Sequence, residues 1–235
     1  YGKTITLSNT HWPETNAKML KNRRIGLSQS GVVQAFNKHG RREVYNWCDK
    51  AYEYVQNLDE EYSNWLCIPK SVRTTSIKPS GTVSLLNGST PGIHFPEDEY
   101  YIRRIRFSKD SPLIKTLSEA GYKHEDDVFS PNTVCFEFPV QEPYFVKGKR
   151  DVSMWEQLEI AAQYQHYWAD NSVSITVTFK PEEAVFIKDA LEMYESRLKA
   201  VSFLRYEETG YEQAPYEPIT KDRYDELVKN IKPLK

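Results

Sequence analysis

Two hydroxyls, a lysine and a glycine crowd into the run Ile77-Lys78-Pro79-Ser80-Gly81-Thr82-Val83, and that grouping has an elementary use. A residue before proline is driven into extended backbone, so a strand arriving through Ile77 persists through Lys78. Pro79 has no N–H, and the first free backbone donors are those of Ser80, Gly81, Thr82 and Val83. If a helix begins there, these amides lack intrahelical partners and carry the positive end of its dipole. Gly81 lets an anion approach the backbone closely, and the Ser80 and Thr82 hydroxyls add donors. The chemistry is that of a phosphate cradle, with Lys78 as a nearby charge. A bland reading stays open, in which Ser80 or Thr82 merely caps the helix. No Gly-Lys-Ser/Thr follows, so the pattern is not the P-loop. A helix terminus contributes about 0.3–1 kcal/mol, up to about 2 when partly buried. Micromolar affinity needs about 8 kcal/mol, so other contacts would have to carry most of any binding.

Other residues invite chemistry less strongly. His94 follows a Pro-Gly turn and could be a general base, but without a paired acid a loop histidine is more simply structural. Glu97, Asp98 and Glu99 are adjacent acids without metal-ligand spacing and read as a solvated face. "IRRIRF" interleaves basic and apolar groups, and in an acidic chain it reads as a strand with a charged outer face. The three cysteines, Cys48, Cys67 and Cys135, form no CxxC pair. They read as ordinary buried thiols, with no metal site and no disulfide framework.

The elements that must hold these groups follow from periodicity. Residues 4–8 read as a strand, and "IGLSQSGVVQAFNKHG" reads as a helix stopped at Gly40. Val44, Trp47, Cys48, Ala51, Val55, Leu58 and Tyr62 recur at helical steps and mark a buried face. "SVRTTSI", "YIRRIRFS", "NTVCFEFPV", "NSVSITVTF" and "AVSFLRY" read as strands. "SPLIKTLSEAG" reads as a helix capped by Ser111. Further helices are expected near residues 153–169 and from Pro181 onward. Alternation of strands and helices predicts an α/β fold with a mostly parallel sheet and outer helices, its ligands beyond the carboxyl ends of strands.

With 235 residues, a formal charge of −2, and 16 Tyr and 5 Trp to fill a core, a single folded domain over 1–235 is expected. The charge balance gives no reason to expect DNA, RNA or a membrane surface as partner. No apolar run nears the roughly 18 residues of a membrane helix. The chain opens at Tyr1 and runs almost at once into patterned sequence, as if cut from something longer. A soluble cytoplasmic location is expected.

Four segments in order, "NRRIGLSQSGVVQAF", "TTSIKPSGTVSLLNGSTPGIHF", "NSVSITVTF" and "YEQAPYEPIT", resemble the carboxyl-terminal part of the adenosylcobalamin-dependent (class II) ribonucleotide reductases. The likeness is to the monomeric enzymes that reduce ribonucleoside triphosphates, and it runs from about residue 1 to about 225. It implies the second half of a ten-stranded α/β barrel. It also implies that Lys78, Ser80, Gly81, Thr82 and Val83 approach substrate phosphates, with Thr90, Pro91, Gly92 and His94 lining the same cavity. The family chemistry replaces the ribose 2′-hydroxyl by hydrogen, using adenosylcobalamin, a thiyl radical and a reducing dithiol. No cysteine here stands in the family's radical-bearing context, and "KNIKPLK" lacks the tail cysteine pair. The resemblance therefore implies a piece inert by itself, with the amino-terminal part of the reductase, a ribonucleotide and an external or tail dithiol as partners. The alternative is a nonenzymatic nucleotide- or partner-binding module on the same fold.

Overall fold

The computed structural model describes residues 1–206 and 212–233. In chain order α1 (Gly2–Ile5), α2 (Pro13–Asn22), α3 (Val32–His39), α4 (Arg41–Trp65) and the single turn α5 (Val83–Leu86) precede β1 (Tyr100–Ser108). Then come α6 (Leu113–Glu119), β2 (His124–Asp126), β3 (Thr133–Gln141), α7 (Met154–Tyr167), β4 (Thr176–Phe179) and α8 (Ile187–Tyr194). The last are β5 (Ser202–Arg205), β6 (Tyr216–Pro218) and α9 (Lys221–Lys229). They pack as two compact units, Tyr1–Phe95 with Val152–Tyr206, and Pro96–Asp151 with Glu207–Lys235.

The first unit is built on extended segments running in parallel. Ile25 N–H donates to Arg73 O (3.0 Å) and Leu27 N–H to Thr74 O (2.9 Å), and Ser76 N–H returns to Leu27 O (2.9 Å). On the other side of residues 74–77, Asn171 N–H reaches Thr75 O (3.0 Å) and Ser174 N–H reaches Ile77 O (2.9 Å). β4 then pairs in parallel with β5, from Thr176↔Ser202 to Phe179↔Arg205. Buried Val33 and Phe36 of α3, Val44 and Cys48 of α4, and Met154, Leu158, Ile160 and Tyr164 of α7 share one core with Ile77, Val173 and Val177. The helical spacing of α4 therefore finds the buried face, except that Trp47 is exposed. Gly40 (φ 84°) stops α3 as expected and opens α4 directly.

Residues 4–8 are not a strand. Gly2–Ile5 form a helical turn because Lys3, buried among Asp59 Oδ1 (2.9 Å), Ser71 Oγ (3.0 Å) and Pro69 O (3.1 Å), fixes the backbone there. Thr4 and Thr6 hydroxyls donate to the Tyr1 and Lys3 carbonyls, so side-chain hydrogen bonds override β-branched preference. The helix expected from Pro181 begins as 3-10 turns over Pro181–Phe186 before α8. Glu183 there accepts from Lys180 N–H and from Met154 N–H, both at 2.8 Å.

In the second unit the sheet order is β2-β3-β1-β6 and every pair is antiparallel. The expectation of mostly parallel strands fails here: β1 and β3 pair over nine residues, from Tyr100↔Gln141 to Ser108↔Thr133. The segment between them is long enough for a crossover, but length does not oblige one. The α/β character stands, with mixed sheets. α6 begins at Leu113 with Pro112 at its cap, one residue later than the sequence suggests. Cys48 and Cys135 are buried as expected, whereas Cys67 is exposed. Among the described residues no helix is long and apolar enough to cross a membrane.

Candidate functional site

The segment leading to the hydroxyl-rich loop is held from beneath. Thr74, Thr75 and Ile77 are fully buried. The Asp170 carboxylate accepts from the amides of Thr74 (2.9 Å) and Thr75 (2.9 Å) and from both threonine hydroxyls. Asn171 Nδ2 donates to Ile25 O (3.0 Å) and Thr75 O (2.8 Å), crosslinking two neighbouring segments. Trp168 Nε1 donates to Ser76 O (3.0 Å). The turn after α7 thus clamps residues 74–76, and the chain emerges to solvent at Lys78 in a fixed direction.

From there the backbone donors can be followed one by one. Lys78 N–H donates to Ser28 Oγ (2.9 Å), and Pro79 has none. The amides of Ser80, Gly81 and Thr82 meet no acceptor among the described residues. Val83 N–H donates to Ser80 Oγ (3.1 Å), and Ser84 Oγ donates to Ser80 O. This corrects the expectation for Val83: its amide is engaged by a local cap and leaves the set of open donors. Ser80 thus accepts as a capping residue while its own hydroxyl proton remains available. A Cβ on Gly81 would meet nothing within 4 Å, so the backbone at the middle of the three open amides is accessible. Lys78 is exposed, and its ammonium makes no ion pair among the described residues.

The second predicted segment lies against the first. Gly92 is at φ 56°, and a Cβ there would sit 3.3 Å from Ile77 Cγ2, 3.5 Å from Lys78 O and 3.6 Å from Pro79 Cα. Gly31 N–H donates to Thr90 O (2.8 Å) and Val32 N–H to Gly92 O (3.4 Å), tying this loop to the start of α3. Thr90 is 3% exposed, and its Oγ1 has no hydrogen-bond partner among the described residues. Pro91 O faces His94 Nδ1 at 3.1 Å, and His94 Nε2 accepts from Thr176 N–H at 3.2 Å. With one ring nitrogen donating and the other accepting, His94 is a neutral strut between its loop and β4 and holds no free base.

Sequence reasoning did not single out Ser28, Gln29, Asp170 or Asn171 as site residues. Their roles arise from contacts about 50 to 150 residues away in the chain, which no local period reports. Gln29 Oε1 accepts from Tyr164 O–H (3.3 Å) and faces Cys48 Sγ (3.6 Å). Burial drives the Tyr164 phenol and the Cys48 thiol upward in pKa, so both act as neutral donors in the core. Glu97 pairs with Lys149 (2.9 Å), and Asp98 caps the Glu99 amide. Arg103, Arg104 and Arg106 of β1 donate to the carbonyls of Pro215, Ala214 and Gln213, so the charged side chains of this strand also strap that segment. A Cβ on Gly26 would lie 3.0 Å from Ser76 Oγ, which makes that glycine a packing residue.

No family model matches the chain. Curated relatives do match it, three of which illustrate the likeness. The chain is 48% identical, over its whole length, to a probable adenosylcobalamin-dependent ribonucleoside-triphosphate reductase of Dictyostelium discoideum, and spans 31% of that protein. It is 46% identical over 99% of its length to the adenosylcobalamin-dependent ribonucleoside-triphosphate reductase of Euglena gracilis, spanning 32% of it. The corresponding reductase of Levilactobacillus brevis is 40% identical, with 98% of the chain and 35% of the relative covered. A crystal structure of a B-12 dependent (class II) ribonucleotide reductase superposes with a TM-score of 0.89 at 33% identity, over 97% of this chain and 36% of that one. The chain belongs to the class II ribonucleotide reductase family.

It spans about a third of the length of the curated reductases it matches. Tyr211, which opens the "YEQAPYEPIT" likeness, lies outside the described residues, as do the last two residues of the "KNIKPLK" tail. Among the described residues no three His, Cys, Asp or Glu gather as a metal site. Cavities of about 560 Å³, between α7 and α8, and about 460 Å³, beside His166 and Arg197, open in the first unit.

Proposed function

We propose that this chain is the carboxyl-terminal portion of a ribonucleotide reductase catalytic domain, contributing most of the second half of its ten-stranded barrel and the loop that holds the substrate phosphates. One observation carries the loop reading: three consecutive amides, of Ser80, Gly81 and Thr82, have no acceptor among the described residues at the end of a rigidly clamped parallel segment. In parallel α/β folds such ends are where ligands sit. The Thr82 and Ser80 hydroxyls and the Lys78 ammonium complete the donor set, and Thr90, Pro91, Gly92 and His94 form the adjoining wall. Lys78 lies in the open and acts through charge.

The substrate would be a ribonucleotide, by kinship a triphosphate, bound in the cytoplasm. These residues bind and orient; they move no proton and carry no radical. Cys48 and Cys135 are buried and Cys67 is exposed, but none of the three stands in the family's radical-bearing context, so on this reading the chain by itself is inactive. Adenosylcobalamin, the thiyl-bearing cysteine and access for an external or tail dithiol belong to the amino-terminal part. In the complete enzyme, Thr82→Ala and the double variant Ser80→Ala/Thr82→Ala should raise the KM for ribonucleotide by about five- to tenfold, with kcat little changed, as expected when uniform binding is lost. An unchanged KM would return the loop to helix capping, whereas a stable complex with the amino-terminal part that yields no deoxynucleotide would favour the nonenzymatic module.

A further inference from the structure

We infer that Ser28 is the positioning residue that sets the aim of the phosphate loop, an inference that rests on the loop reading above. Its hydroxyl accepts the Lys78 amide at 2.9 Å, and its oxygen lies 3.4 Å from Lys78 O. Both backbone groups of Lys78, the residue at which the buried segment becomes a loop, therefore turn to one side chain 50 positions earlier. The row of open donors is bracketed by two serines: Ser28 engages the amide just before Pro79, and Ser80 engages the amide of Val83. Between them stand the open amides of Ser80, Gly81 and Thr82. Ser80 belongs to the loop and moves with it, whereas Ser28 belongs to another element and can fix the loop against the body of the unit.

The residue next to Ser28 supplies that fixity. Gln29 Oε1 is held by Tyr164 O–H at 3.3 Å and faces Cys48 Sγ at 3.6 Å, so α7 and α4 anchor the Ser28-Gln29 dipeptide from below. Two residues further on, Gly31 N–H holds Thr90 O at 2.8 Å, so the same short stretch also carries the cavity wall. Ser28 is itself exposed and fills no core space. Removing its hydroxyl should free the rotation of Lys78 without unpacking the unit. Three amides hold one anionic group only if their directions converge, and a drifting Lys78 spreads them.

The test uses the full-length protein, with inorganic tripolyphosphate as one probe and the unphosphorylated ribonucleoside as the other. Ser28→Ala should weaken tripolyphosphate binding about fivefold, the equivalent of one ordinary hydrogen bond. It should leave nucleoside binding unchanged and shift the melting temperature by less than about 2 °C. Ser28→Thr, which keeps the hydroxyl, should restore the affinity. On a Ser80→Ala/Thr82→Ala background the Ser28→Ala loss should shrink, because the two act on one site. Unaltered tripolyphosphate affinity in Ser28→Ala, equal loss of both probes with a falling melting temperature, or full additivity would each overturn the positioning role. A wild-type protein that binds no tripolyphosphate would instead remove the loop reading, and this inference with it.

Discussion

At the scale of single residues, the site is shaped by which groups are already engaged. His94 shows this most directly, because a free imidazole there would suit general-base work, yet both its nitrogens are bonded within the unit. His94→Ala should cost about 0.5–1.5 kcal/mol of stability in urea denaturation, since it removes the bonds to the exposed Thr176 amide and the Pro91 carbonyl. The pH dependence of kcat in the complete enzyme should not change. Loss of a kinetic pKa near neutrality in that variant would restore the base reading. Buried ion pairs follow the same accounting. Burial alone would lift the Asp59 carboxyl, but hydrogen bonds from Ser71 and Lys3 outweigh it and hold it below the usual carboxylate range. Lys3→Met should therefore cost several kcal/mol by stranding Asp59, a loss measurable by the same denaturation. Glu159 is held at about 2, chiefly by its paired hydrogen bonds from Arg197. Because its folded pKa is depressed, its contribution is complete above the ordinary value near 4.5 and is lost as pH falls toward 2. Glu159→Gln should flatten the fall in melting temperature across that window, whereas an unaltered slope would assign the acid sensitivity to other carboxylates.

At the scale of elements, the decisive contact is the close approach of the Thr90–His94 loop to the end of the 74–77 segment, which glycine permits. Gly92 is left-handed, at φ 56°, with Ile77, Lys78 and Pro79 packed beside its α-carbon. Gly92→Ala should lower stability by about 1–2 kcal/mol from backbone strain alone. It should also raise the ribonucleotide KM, because Ile77, 3.3 Å from the added Cβ, must give way directly beneath Lys78 and Pro79. A stable variant with unchanged KM would separate the two loops functionally. The sequence showed that neck clearly: proline, glycine and hydroxyls are local signals, and so are the helical period of α4 and the Gly40 stop. It did not show strand direction, because alternation in "YIRRIRFS" and "NTVCFEFPV" is the same whether the partners run parallel or antiparallel. Nor did it show that Lys3 would draw residues 2–5 into a helical turn, since the partner, Asp59, lies 56 positions away. Half of the site was hidden for the same reason. The proposed phosphate loop could be read locally, whereas Ser28, Asp170 and Asn171, which hold the backbone leading into it, could be found only after folding.

At the scale of the whole molecule, the parallel segments of the first unit run in the spatial order 25–27, 74–77, 173–179 and 202–205. Residues 74–77 and β4 are flanked on both sides. The outer edges of residues 25–27 and of β5 have no strand partner among the described residues. Leu27 and Leu204, on those two edge segments, are also exposed. Unpaired N–H and C=O groups beside apolar side chains are a template for strand addition, and an edge left that way in solution invites association. A barrel removes both edges by closing the sheet on itself, and the curated relatives are about three times the length of this chain. The chain expressed by itself should therefore self-associate in sedimentation velocity runs. Co-expression with the remaining two-thirds of a reductase of this family should yield a discrete complex in which the amides of residues 25–27 and 202–205 gain hydrogen-exchange protection. A monodisperse monomer whose edge amides are already protected would show that the edges are covered from within, and the half-barrel assignment would fall while the phosphate loop stood.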